Sequence, residues 1–306
     1  MLSNSERIFS AAHQARARVL QCRAMSLPPN LVSDSPFVEE TLLMLRACGG
    51  RARVERVAEH VLQVPCDDVT VAALLVSDLL RDDGRFRLSD ELELLLDCED
   101  DGALALDATD YVVFDIETTG SKTPPCRIME IGAYRVSGGR IVAEFESLVN
   151  PLSPIPSFIS MLTGIDDEMV AHAPLFDEIV HELLDFIGSS VLIAHNAAFD
   201  VRFLNHEIAR LYPGRKMRNP ALCTVSLAKR VVPELANHRL HTVADHFNVS
   251  IRGRHRAPGD ARATAEVFIQ LLSILCEHNV RDLRSARTFR VASAGNASQR
   301  ERRVQA

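Results

Sequence analysis

Tyr-Val-Val-Phe-Asp-Ile-Glu-Thr-Thr-Gly, residues 111–120, is the stretch on which the fold turns. Four bulky apolar residues followed by Asp115-Ile116-Glu117 read as a buried strand that turns polar at its end. Asp115 and Glu117 are two apart, so they share one face of the strand with α carbons ~6.6 Å apart. Both carboxylates can therefore reach one divalent ion at ~2.1 Å. Thr118-Thr119-Gly120 leaves the strand as a loop whose backbone donors can meet an anion. An Asp-x-Glu triplet alone is common and usually faces solvent. What sets this one apart is the core strand before it, because sites gather at strand ends in α/β folds.

Downstream, Ile128–Val136 and Arg140–Val149 form a hairpin about Ser137-Gly138-Gly139. Residues 175–187 are amphipathic, with Ile179, Leu183 and Phe186 apolar; Ser190–Ala194 is a buried strand and 198–211 a helix. A short strand near Leu222-Cys223-Thr224 leads into a helix, a second short helix spans about 240–247, and a long one covers 259–277. Three consecutive strands and then alternating helices and strands give an α/β mixed sheet covered by helices.

Two further elements add chemistry. Asp200 closes His195-Asn196-Ala197-Ala198-Phe199-Asp200, directly after a strand and in the first turn of a helix. Taken singly it is equally well an acid stabilised by the helix dipole. In His255-Arg256-Ala257-Pro258-Gly259-Asp260, Gly and Pro keep His255 on a loop while Asp260 opens the last long helix. An imidazole titrates near neutral pH, which suits proton abstraction from water. No predicted helix carries His-x-x-x-His, so a histidine-ligated zinc hydrolase is disfavoured.

Upstream, residues 4–25 read as a helix with Ile8, Ala12, Ala15 and Val19 on one side, ended by Leu27-Pro28-Pro29-Asn30. Ser35-Pro36 opens another helix as N-cap and first-turn proline, and Gly49-Gly50 stops it. One further pattern carries Val54, Val57, Val61 and Leu62. Another carries Val71, Leu74, Leu75 and Leu79 and ends at Gly84, and Arg85–Leu88 alternates like a strand. Short helices followed by a hairpin-like strand suggest a winged helix over residues 1–88. Its third helix is the one that often meets DNA, but here it shows Asp67, Asp68, Thr70, Ser77 and Asp78, which repel phosphate and favour protein docking or a structural role. Residues 89–110 hold nine acids and no base, an expected solvated linker with one helical turn around Leu92–Leu96. Residues 111–280 form the main domain, and the arginine-rich 281–306 is expected to be a disordered basic tail.

Composition frames these readings. The chain has 306 residues, 47% hydrophobic and 25% charged, enough for about two globular domains. No run approaches the roughly 20 apolar residues of a membrane span, and the first residues lack a secretory signal pattern, so the cytoplasm is expected. Seven scattered cysteines without Cys-x-x-Cys read as buried thiols, not a disulfide framework or thiolate zinc site. The net charge of -7 is unevenly spread: residues 1–110 carry 11 Arg against 20 acids, and residues 200–262 carry 12 Lys/Arg against five acids. The basic stretch is a candidate phosphate-facing surface, unless its arginines simply solvate helices.

Taken together, Phe114–Gly120, Ile193–Asp200 and His255–Ala261, supported by Ile128-Met-Glu-Ile-Gly132 and Leu162-Thr-Gly-Ile165, resemble the DnaQ-like (DEDDh) 3′–5′ exonuclease family, which includes the proofreading epsilon subunit of bacterial DNA polymerase III. The resemblance covers just over half the chain and implies a ribonuclease-H-like, five-stranded mixed sheet. It implies two divalent cations, Mg²⁺ or Mn²⁺, held by Asp115, Glu117, Asp200 and Asp260, with His255 as general base. The same resemblance places Thr118, Thr119, Gly120, Thr163, Gly164, Ile165, Asn196 and Phe199 around the terminal nucleotide; for the apolar ones plain core is the competing reading. Arg202, Arg252, Arg254, Arg256 and Arg262 are candidate phosphate contacts. The expected product is a nucleoside 5′-monophosphate from the 3′ end of nucleic acid, with DNA preferred over RNA. A polymerase or repair protein is the candidate partner of the N-terminal domain. A non-catalytic nucleic-acid-binding module on this fold is the alternative from another class, and the complete acidic set argues against it.

Overall fold

The computed structural model describes residues 27–66, 68–81, 83–97 and 100–291. The helix expected over 4–25 and the tail beyond 291 lie outside the described residues. The chain divides into two compact units.

The first unit reaches to Glu99 and includes Ile208–Arg218. It holds β1 (Leu31–Ser33), α1 (Pro36–Ala47), β2 (Arg51–Arg53), α2 (Val54–Val61), α3 (Val69–Leu79), β3 (Phe86–Leu88) and β4 (Glu93–Leu96). Strands β2, β4 and β3 make an antiparallel sheet with β4 in the centre. Val38, Leu45, Val54, Val57, Ala58, Ala72, Val76 and Leu94 meet in its core. Pro36 stands in the first turn of α1 as the sequence suggests, but the Ser35 side chain makes no capping hydrogen bond; Asp68 caps α3 instead, accepting from Thr70 N at 2.8 Å. Leu92–Leu96 is not a helical turn. Glu93–Leu96 is a strand whose Leu94 is buried against the helices, so the stretch is part of the fold and not a solvated linker. Leu31–Ser33 pairs antiparallel with Arg215–Met217, about which the local sequence gives no hint.

The second unit comprises Asp100–Glu207 and the chain from Asn219 onward. It contains β5 (Tyr111–Thr118), β6 (Ile128–Ser137), β7 (Arg140–Leu148), α4 (Ser157–Thr163), α5 (Asp167–Ala171), α6 (Phe176–Ile187), β8 (Val191–Ala194), α7 (Ala197–Leu211, to Glu207), β10 (Ala221–Cys223), α8 (Thr224–Val231), α9 (Leu240–His246), α10 (Ala257–Glu277) and α11 (Leu283–Thr288); the intervening β9 (Arg215–Met217) belongs to the first unit. The five-stranded sheet runs β10-β8-β5-β6-β7, with β8 parallel to both neighbours and β6 and β7 antiparallel, the mixed ribonuclease-H-like arrangement. Alternation along β5 sends Tyr111 and Val113 into a core with Val267, Phe268 and Leu271 of α10. Val112, Phe114 and Ile116 face Leu183, Ile187 and Leu204 on the other side. Asp115 and Glu117 thus prolong the face of the sheet that α10 covers.

The basic tail needs correction over its first part. Leu283 and Ala286 are buried in the main core and Asp282 caps α11 by accepting from Ser285 N at 2.8 Å. Leu106 N donates to Arg281 O at 2.9 Å and Leu283 N to Leu104 O at 3.0 Å. Two stretches that each read as solvated, by their charge, pin one another through a short backbone pairing.

Candidate active site

Three carboxylates converge where β5 leaves the sheet. One oxygen each from Asp115, Glu117 and Asp260 lies within 4.8 Å of the others. Asp115 and Glu117 arrive on the same face of β5, and Asp260 arrives in the first turn of α10. The approach of that helix depends on Gly132, the β6 residue opposite Asp115. A Cβ there would stand 2.4 Å from Pro258 N and 2.5 Å from Ala257 C, closer than atoms can pack, so only bare backbone lets α10 seat on the strand. Gly259 meets the same constraint, its added Cβ falling 1.9 Å from Arg252 O.

Asp200 is the fourth acid. It stands in the first turn of α7, 3% exposed, and is not within the close trio. Its charge nevertheless reaches Asp115: burial first, then Asp200, Glu117, Asp260 and Glu130, hold the Asp115 carboxyl well above the usual range. Burial pushes Asp200 up to about 7, against backbone hydrogen bonds at Asp200 and Ile116. Burial followed by the charges of Asp260, Glu130 and Asp200 pushes Glu117 up to about 8, with Arg256 pulling the other way. Burial raises Asp260 as well, opposed by the His255 backbone and the His255 and Arg254 charges. Ionising all of these carboxyls together is costly without a positive counter-charge. An all-oxygen donor set suits a hard divalent cation such as Mg²⁺, Mn²⁺ or Ca²⁺.

His255 is half-buried on the loop before α10, in the left-handed region at φ 60°. Its N–H donates to Asp260 Oδ2 at 2.9 Å, so the backbone of the candidate base and the candidate ligand are tied together.

The expected nucleotide-binding residues divide into two groups. Asn196 is exposed with φ 82°, and Phe199 is half-buried, its ring centroid 4.8 Å from that of Phe203 with the Arg202 guanidinium 5.6 Å above it. Gly164 ends α4 at φ 71°. These are available to a ligand. Thr118 and Thr119 are buried: Thr118 Oγ1 donates to Gly120 O at 2.7 Å, and Thr119 Oγ1 accepts from Arg127 N at 3.0 Å. At Gly120 a Cβ would fall 2.6 Å from Cys126 Sγ, so this glycine lets the loop fold on itself. Thr163 Oγ1 donates to Ile159 O and accepts from Ile165 N. Ile165 is fully buried with Met129, Ile155, Ile159 and Val170, which favours the plain-core reading of its side chain.

The arginines also separate. Arg256 is engaged with Glu130, Arg262 with Glu266, and Arg202 donates to Ser121 O. Arg252 and Arg254 are exposed. Three features escaped sequence reasoning. Phe158 and Met161 of α4 are exposed; Arg127 forms a nearly buried ion pair with Glu207, Nε to Oε1 2.5 Å; Glu130 is buried and its charge acts on Asp115 and Glu117. Only the Ile128–Gly132 motif carried a signal for any of them, since it placed an acid in the middle of a core strand.

A family profile described as Exonuclease (RNase_T) matches residues 112–268. The chain is 44% identical over 174 residues to DNA polymerase III PolC-type of Caldanaerobacter subterraneus subsp. tengcongensis, covering 57% of this chain and 12% of that protein. It is 39% identical over 170 residues to DNA polymerase III subunit epsilon of Aquifex aeolicus, covering 56% of this chain and 83% of that one. Among solved structures, Exonuclease X in complex with 5′ overhanging duplex DNA is 27% identical at a TM-score of 0.44, covering 53% of this chain and 91% of that chain. Residues before 112 lie outside the family match.

Proposed function

This chain belongs to the RNase_T exonuclease family, and on that premise we propose that it removes nucleoside 5′-monophosphates one at a time from the 3′ end of DNA. The observation that carries the reading is the trio of carboxylate oxygens within 4.8 Å, with buried Asp200 electrostatically linked to Asp115.

Asp115, Glu117 and Asp260 would hold divalent cation, Mg²⁺ or Mn²⁺, with Asp200 holding a second ion directly or through water. Bound cations of this kind lower the pKa of an attacking water and stabilise the leaving oxygen. His255 takes the proton of that water on an imidazole nitrogen, a contribution on the order of 10²–10⁴-fold. The bond broken is that between phosphorus and the 3′ oxygen of the preceding nucleotide, which leaves as a 3′-hydroxyl. Asn196, Phe199 and the exposed edge around Gly164 seat the terminal nucleotide. Exposed Arg252 and Arg254 offer sequence-blind contacts to phosphate. DNA is preferred over RNA because the extended sequence identity is to DNA polymerase III proteins.

The first unit reads as a docking module for a polymerase or repair protein. Thr70, Val71, Leu74, Leu75, Ser77 and Asp78 form the exposed side of α3, where a phosphate-binding helix would carry bases. Cytoplasmic action follows from a role on replicated DNA; among the described residues no helix is long and apolar enough to cross a membrane.

The test is degradation of matched 5′-labelled DNA and RNA oligonucleotides with Mg²⁺, Mn²⁺ or EDTA. Stepwise shortening of DNA only with metal is expected. Faster loss of RNA would transfer the enzyme to the RNA-directed branch, and binding without hydrolysis under any metal would make it a non-catalytic module.

A further inference from the structure

Glu130 is opposite Glu117 in the β5–β6 register, yet it points its carboxylate away from solvent, 2% exposed. Both its oxygens are used. Arg256 Nε donates to Oε1 at 2.9 Å and Oε2 at 3.1 Å, Arg256 Nη2 donates to Oε1 at 2.5 Å, and Ala257 N donates to Oε2 at 2.8 Å. Arg256 is the residue before α10 and Ala257 its first. One carboxylate therefore grips the arginine and the leading amide of the helix that carries Asp260, immediately after His255. Two residues along the same face of β6, Gly132 removes the side chain that would push that helix turn away. The strand thus supplies both an anchor and a seat.

We propose that Glu130 is a positioning residue that, through Arg256 and the Ala257 amide, holds His255 and Asp260 against Asp115 and Glu117. The proposal rests on the exonuclease reading for its kinetic consequences. Arg256 is then a structural partner of Glu130 and not a phosphate contact. Its charge also balances that of Glu130, so the pair adds no net charge beside the metal-binding carboxyls. An isolated surface pair would be nearly inert. This one has its acid buried, so removal of Arg256 leaves a buried carboxylate without its counter-charge.

The experiment compares E130Q, R256M and the double variant on an end-labelled DNA oligonucleotide with Mn²⁺, alongside thermal melting and amide hydrogen exchange. E130Q is expected to lower kcat by roughly 30–100-fold with KM changed less than about twofold, since productive geometry and not binding is lost. R256M is expected to fall similarly, and the double variant no further than the worse single one. Exchange at residues 256–261 should quicken in each variant under conditions where all remain folded. Should E130Q not fold, R256M carries the same comparison with the parent. A raised KM with unchanged kcat in R256M would overturn the proposal in favour of a phosphate contact, as would multiplicative losses in the double variant. A lowered melting temperature with full kcat would reduce Glu130 to a stabilising residue. If the parent itself trims nothing, the exonuclease reading fails. The exchange comparison would still decide whether Glu130 holds the loop, and unchanged exchange would refute it.

Discussion

Replacing Glu117 with glutamine isolates the cost that the crowded carboxyls impose on metal-free protein. Burial and the neighbouring acids push Glu117 from 4.5 up to about 8. An acid whose pKa is higher in the native than in the unfolded state binds more protons when folded, between those two values. Metal-free stability therefore falls as pH rises from about 4.5 to about 8. At about 1.36 kcal/mol for each unit the full gap would reach ~5 kcal/mol. Glu117 is only half-buried, and solvent screening reduces this to roughly 2 kcal/mol. The amide of the E117Q variant cannot ionise and escapes the cost. In EDTA, calorimetry should find parent and variant equal near pH 5 and the variant melting about 4–8 °C higher at pH 8. Millimolar Mg²⁺ should reverse the order, because the parent gains binding energy that the variant, with a neutral amide in place of the carboxylate, largely loses. Equal melting at pH 8 in EDTA, or a less stable variant, would refute the view that Glu117 is held in an unfavourable charged cluster.

Two further outcomes follow from the same geometry. His255→Ala should lose on the order of 10²–10⁴ in kcat while binding Mn²⁺ as the parent does; titration calorimetry beside the oligonucleotide assay checks it, and full turnover would remove His255 from proton transfer. Arg127→Met removes one ion-pair partner of a Glu207 side chain that is 1% exposed, and should destabilise by about 3 kcal/mol in urea unfolding. A change under about 0.5 kcal/mol would show that the pair is inert.

The chemistry of the site was more legible in the sequence than its architecture. Asp115 and Glu117 are fixed on one face by the two-residue period of a strand, and Asp260 is fixed by a helix with Pro258 in its first turn. Those relations are local, so spacing alone brings them out. The long-range ones were silent. Leu31–Ser33 becomes a strand only because Arg215–Met217 comes to pair with it, and Glu93–Leu96 because β2 and β3 flank it. Acid content made 89–110 look solvated although Leu94 and Leu106 are buried. Arginine content hid Leu283 and Ala286 in the same way. Charge counting likewise could not tell an arginine that faces solvent, such as Arg254, from one spent on a buried acid, such as Arg256. Ile165 sits in a motif that also contains exposed Leu162, and only packing separates the two.

The most direct measurement is anomalous diffraction from crystals grown with Mn²⁺ and a nucleoside 5′-monophosphate. Mn²⁺ density coordinated by Asp115, Glu117 and Asp260 is expected, with a second peak on the Asp200 side of Asp115. Peaks elsewhere, or none at saturating Mn²⁺, would contradict the claim that these carboxyls assemble to hold catalytic cations.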